Sequence, residues 1–170
     1  MGKGKAGGGL ISAAFNFIRK ANRRNRPGRM SPHFREHIFG GHVKPGKPRA
    51  SGYHYRPGGN DFPGRRLKPG TTKVDPKTGA YRAKPEFFDP TLNPPHGAWK
   101  PKSGPNGGES SFYPDHWTPA QVDAAPAEAF RNSTQAPGDP DKWHGKYKDL
   151  TIEGYYDKKG GYTHGWPLVP

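Results

Sequence analysis

Two histidines, His37 and His54, stand at the ends of short aromatic segments, His37-Ile38-Phe39 and Gly52-Tyr53-His54-Tyr55. Between them runs a loop of cations and turn formers, Lys44-Pro45-Gly46-Lys47-Pro48-Arg49. Imidazole, with an ordinary pKa of about 6.5, can give or take a proton at neutral pH. Two of them, one protonated and one not, are what acid–base cleavage of a phosphodiester requires. A polyanion would be drawn to such a pair by the positive charge around it. The formal net charge of +14 points to a phosphate-bearing partner. Charge alone does not separate nucleic acid from an anionic membrane.

Other chemistry is weaker in this sequence. His33 and His37 are spaced i, i+4, which lets two imidazoles share a metal. The nearby carboxylate, Glu36, would point elsewhere on a helix, so proton transfer is the expected role of His37 and no metal or cofactor is expected. His42 falls in the cationic loop and is expected in solvent. His116 reads as a surface or packing histidine. The chain has no cysteine, which excludes a disulfide framework and thiolate zinc sites.

The elements that must position these residues are only partly marked. Leu, Ile, Val and Phe together number 22 of 170 residues while Gly and Pro number 46, proportions that approach those of disordered chains. Against this stand 21 aromatic residues, each able to remove roughly 150–250 Å² from water. The expectation is a loop-rich domain over residues 31–170 behind a flexible basic leader, 1–30. In the leader, 1–9 read as linker, and 10–18 as one or two helical turns that dock on the domain, before an Arg-rich stretch that includes Arg19, Arg23, Arg26 and Arg29. That apolar run is far short of the roughly 20 residues a membrane span needs.

Ser31-Pro32 marks a helix start, and Thr118-Pro119 another that runs to about Arg131. Its apolar face would be Val122, Ala125, Ala129 and Phe130, with Pro126 against it. Residues 57–80 read as loops with brief extended pieces, 89–109 as loop, 80–88 as a strand, and 132–141 as a linker. Leu150–Tyr156 and Tyr162–Pro167 read as a hairpin. Alternation along its second strand would place Tyr162, His164 and Trp166 on one face, with Thr163 and Gly165 on the other.

Four ordered pieces carry a family resemblance: His37-Ile38-Phe39-Gly40-Gly41, Gly52-Tyr53-His54-Tyr55-Arg56, Ser111-Phe112-Tyr113-Pro114-Asp115-His116-Trp117, and Ile152-Glu153-Gly154-Tyr155 through Trp166-Pro167. Over roughly residues 33–168 the chain resembles the bacterial EndoU nuclease domain. The resemblance implies a barnase-like α+β domain, a curved antiparallel sheet with helices on one side. It also implies metal-independent cleavage of tRNA or other single-stranded RNA through 2′-OH attack, leaving a 2′,3′-cyclic phosphate. A cognate immunity protein is implied as partner. So is delivery of the domain, as part of a larger polymorphic toxin, into the target-cell cytoplasm. A monomeric domain without stable membrane insertion is expected.

Residue by residue, the resemblance assigns the proton-transfer roles to His37 and His54. The family's third position, a hydroxyl residue two before the closing aromatic, falls on His164, with Thr163 one earlier. Either His164 takes the hydroxyl's place or a local bulge turns Thr163 inward. Tyr53, Tyr162 and Trp166 are candidates to stack a base, and Arg56 or a nearby lysine to neutralise phosphate charge. A non-catalytic basic RNA-binding protein would explain the charge and the Gly/Pro content, but not the ordered histidine motifs.

Overall fold

Two helices begin where the sequence marks them. Ser31 caps α2 (Pro32–Phe39), its hydroxyl accepting from the Phe34 N–H. Thr118 caps α3 (Pro119–Arg131) in a complete capping box with Gln121. Proline at the first helical position sacrifices no hydrogen bond. The buried stripe of α3 includes Val122, Ala125, Pro126 and Ala129, so the internal proline sits on the packed side, where neighbours hold the helix through it.

The computed structural model describes residues 5–24 and 29–170. Within it, α1 (Lys5–Arg23) is a helix of 19 residues, where a flexible linker and one or two turns are expected from sequence. Residues 1–4 of that linker, and Arg26, lie outside the described residues. Gly8 and Gly9 each cost a helix about 1 kcal/mol relative to alanine, and tertiary packing decides the outcome. Ala14 is fully buried, Phe17 stacks on Phe39 at 6.0 Å, and Phe15 meets Phe62 edge-on at 5.0 Å.

The strands are all paired antiparallel. A four-stranded sheet runs β12 (Tyr162–Pro167), β11 (Leu150–Tyr156), β10 (Asp139–Tyr147), β9 (Thr134–Ala136), and α3 packs across it. Two three-stranded sheets are β3 (Arg65–Leu67), β6 (Pro85–Asp89), β7 (Ala98–Pro101), and β4 (Lys73–Val74), β5 (Tyr81–Ala83), β8 (Ser110–Phe112). β1 (His42–Val43) pairs with β2 (Ala50–Ser51). The fold is therefore α+β, as expected, with its pairing divided among several small sheets. β7 and β9, together with the start of β10, occupy stretches that read as loop or linker. The expected 80–88 strand breaks at Lys84, and its halves join different sheets.

The hairpin of β11 and β12 departs from simple alternation. Gly154 pairs with Gly165 but Tyr156 pairs with Tyr162, so Thr163 and His164 together oppose Tyr155, a β-bulge. The extra residue reverses the faces beyond it. Tyr162 turns toward α3 and packs on Phe130 (5.3 Å) and Trp143 (6.0 Å), while His164 and Trp166 face the opposite side. The Trp143 ring crosses the glycine pair so closely that a Cβ on Gly154 would lie 2.5 Å from it.

Helices α1, α2 and α3 are tied by one buried cation. Arg35 of α2 donates to Asp123 of α3 at 2.8 Å, to the Met30 carbonyl at 3.0 Å and to Asn22 of α1. Asp123→Ala leaves that guanidinium buried without its counter-ion, a change that costs about 3–5 kcal/mol. Urea denaturation of the variant will show a loss of this order, and the apolar double variant Arg35→Met/Asp123→Leu will recover most of it.

Candidate active site

His37 lies in the last turn of α2, and the end of that helix is bonded directly to the segment carrying His54. The Tyr53 N–H donates to the His37 carbonyl at 2.8 Å, and the His54 N–H to the Ile38 carbonyl at 2.7 Å. Such close approach requires glycine at position 52, where a Cβ would sit 2.2 Å from the His37 oxygen and φ is +77°. On its other side the His54 carbonyl accepts from the Tyr113 N–H at 2.8 Å. His54 is thus clamped between two elements, and its ring centroid lies 5.9 Å from that of His37.

The β-bulge brings in a third imidazole. His164 meets His37 edge-on at 5.0 Å and lies flat on Phe34 at 4.6 Å. Thr163 Oγ1 is 2.8 Å from His164 Nδ1, so the hydroxyl sits beside the histidine and steadies it. Trp166 runs nearly parallel to His54 at 6.1 Å. His37, His54, His164 and Trp166, with Lys102, line an open groove of about 790 Å³.

The family model of the bacterial EndoU nuclease matches residues 32–169. The chain belongs to this nuclease family. Comparisons with curated proteins and with solved structures find no match.

Within the EndoU domain, the structure sorts the residues singled out from sequence. His37, His54, His164 and Trp166 share the groove. Tyr53 does not: its ring is fully buried among Phe62, Phe87 and Phe112, and its hydroxyl donates to Asp61 at 2.8 Å. Arg56 donates to the same carboxylate at 2.7 Å, so both serve the scaffold. Tyr162 is turned to the α3 side by the bulge. His42 is not a solvent-facing loop residue but stacks on His33 at 4.6 Å, and its ring lies 5.7 Å from that of His37. His116 is exposed.

Lys102 is the residue that sequence reasoning missed. One of 28 lysines and arginines, in a Pro-Lys-Ser-Gly turn, it carries no local signal. Its ammonium donates to Ser110 Oγ at 2.6 Å. Burial lowers its pKa to about 8, leaving it charged at neutral pH. Ser111 Oγ and Arg82 Nε, also of groove-lining residues, are buried without a hydrogen-bond partner among the described residues.

The same burial leaves the three groove imidazoles of the EndoU domain uncharged. Burial, then the positive charge of His164, Lys102, His42 and His33, lowers His37 to about 3. Burial, then His33 and Lys102, lowers His164 to about 4. His54 is held well below its ordinary value by burial, Lys102 and His37, against the opposing pull of the Ser111 carbonyl. That carbonyl, 2.7 Å from His54 Nδ1, can only accept, so Nδ1 carries the proton and Nε2 keeps a free lone pair. The groove's glutamates are already engaged, Glu109 with Arg82, and Glu153 with Lys142 and His144. Among the described residues no three histidines or carboxylates gather as a metal-ligating group.

These depressed values link protonation to folding. Below about pH 6.5 the unfolded chain takes up protons that the folded imidazoles refuse, so stability falls as pH drops toward the folded values. Urea unfolding between pH 7.5 and 5 will show this decline, and its slope will be smaller in a His37→Gln variant.

Proposed function

We propose that this EndoU domain is a metal-independent endoribonuclease that cleaves RNA by transesterification to a 2′,3′-cyclic phosphate and a free 5′-OH. The observation that carries the reading is the convergence of three neutral imidazoles and one ammonium on a single groove whose glutamates are already paired. One imidazole of the His37–His54 pair takes the 2′-OH proton as the oxygen attacks phosphorus. The other gives a proton to the departing 5′ oxygen, having become charged once the anionic phosphate offsets the cations that hold it neutral in the free protein. Lys102, supported by His164, stabilises charge on the non-bridging oxygens. Thr163 acts through His164. Trp166 offers a face for a base, a contact worth about 1–3 kcal/mol, and Ser111 and Arg82 supply unpaired polar atoms for its edge.

The substrate class that fits this open groove is single-stranded RNA or an exposed loop of tRNA. Family membership and the net charge of +14 support a toxin domain delivered as part of a larger protein and acting in the cytoplasm of the target cell. They equally support an acidic immunity protein as its partner.

His37→Ala and His54→Ala will keep the circular dichroism of the parent and lose about 10²–10⁴-fold in RNA cleavage each; wild-type cutting by either removes that residue from the chemistry. EDTA will leave the rate unchanged, and a DNA analogue, lacking the attacking hydroxyl, will bind without being cut. Activity will decline above about pH 8 as Lys102 loses its proton, and Lys102→Arg will move that decline to higher pH.

A further inference from the structure

A second groove of about 460 Å³ lies against the first, sharing His37 and Ser51 with it. Its own walls are His33, Phe34, His42, Lys44 and Arg49. The His33 and His42 rings are stacked at 4.6 Å and 7°, and His33 is exposed. Lys44, Lys47 and Arg49 are exposed too, and their side chains make no ion pair or hydrogen bond among the described residues.

The backbone beneath these cations is unusually well anchored. Lys100, buried against Asp89 at 2.8 Å, donates to the carbonyls of Lys44 (2.7 Å) and Lys47 (2.6 Å). Asp89 in turn accepts from the Gly46 N–H at 2.9 Å. A buried ion pair, bonded in addition to the main chain of Lys44, Gly46 and Lys47, thus fixes a loop whose cations have no partner among the described residues. Fixed backbone with unpaired cations beside a stacked ring pair is the combination that takes a single nucleic-acid strand.

We infer that this second groove is a subsite for the RNA strand beyond the cleaved step. Lys44 and Arg49 hold backbone phosphate, and the exposed face of the His33–His42 stack receives a base, as histidine rings do in RNA recognition. The inference rests on the nuclease reading and deepens it: cleavage occurs at His37, where the grooves meet, and the neighbouring nucleotide lies along the cationic loop.

The test pairs two substrates. Binding of a short 2′-O-methyl RNA oligonucleotide, which cannot be cut, is followed by fluorescence anisotropy across a salt series, and cleavage is measured on a ribodinucleotide too short to reach the loop. Lys44→Ala/Arg49→Ala will weaken oligonucleotide binding roughly tenfold. It will also make the slope of log affinity against log salt shallower by about 1.4, the release expected from two phosphate contacts on a single strand. Dinucleotide cleavage by this double variant will stay within about twofold of wild type, since the dinucleotide makes neither contact. His33→Ala will weaken binding by roughly fivefold or more with the salt slope unchanged. Unchanged affinity and slope in the double variant, as expected if the loop instead faces an acidic protein, would overturn the subsite. So would an equal loss on the dinucleotide. Because the binding arm needs no cleavage, it decides the subsite even if the wild-type protein cuts nothing, a result that would sink the nuclease reading instead.

Discussion

The site depends on a pair of main-chain hydrogen bonds, from the Tyr53 and His54 N–H groups to the carbonyls of His37 and Ile38. Carbonyls at the end of a helix lack intrahelical partners, and here two of them are satisfied by the segment that bears the second histidine. The two imidazoles are therefore related through backbone rather than through mobile side chains. The arrangement makes demands on its neighbours. Gly52 must lack a side chain, and Tyr53 must accept a positive φ of 70°, a conformation that costs a non-glycine residue of order 1–3 kcal/mol. The buried Tyr53 ring and its bond to Asp61 hold it there, which is why that tyrosine serves the scaffold and not the substrate.

Electrostatically the heart of the groove, around Lys102, differs from the buried pairs elsewhere in the molecule. Elsewhere buried cations have carboxylate partners, Arg35 with Asp123 and Lys100 with Asp89. In the groove the half-buried Lys102 has a hydroxyl instead, and three imidazoles are kept uncharged beside it. Clusters of like-signed titratable groups with shifted pKa values are characteristic of functional sites. The missing counter-charge is of the kind that the phosphate of a nuclease's substrate carries.

What could be read from sequence was what is encoded locally. The caps at Ser31 and Thr118, the packed face of α3 and the terminal hairpin each follow from a few adjacent residues. The two histidine motifs were visible as ordered pieces. What could not be read is set by partners distant in the chain. β7 and β9 are strands because β6 and β10 lie beside them, not because Pro/Gly/Asn-rich sequence favours extension. α1 continues through its glycines because Phe15 and Phe17 find rings to pack on. Strict alternation grouped Tyr162 with His164, and a single extra residue in β12 separates them. Lys102 acquires its character only from burial.

The bulge at Thr163–His164 also bears on what could cover the groove. β12 is an outer strand of its sheet, and such strands invite a foreign strand to add alongside. Here the extra residue interrupts the hydrogen-bonding repeat, and Pro167 offers no N–H. Strand addition is therefore a poor route to blocking this enzyme. A protein that covers the groove would instead have to reach Lys102 and the imidazoles with its side chains, so that contact there is set by charge and shape and not by backbone pairing.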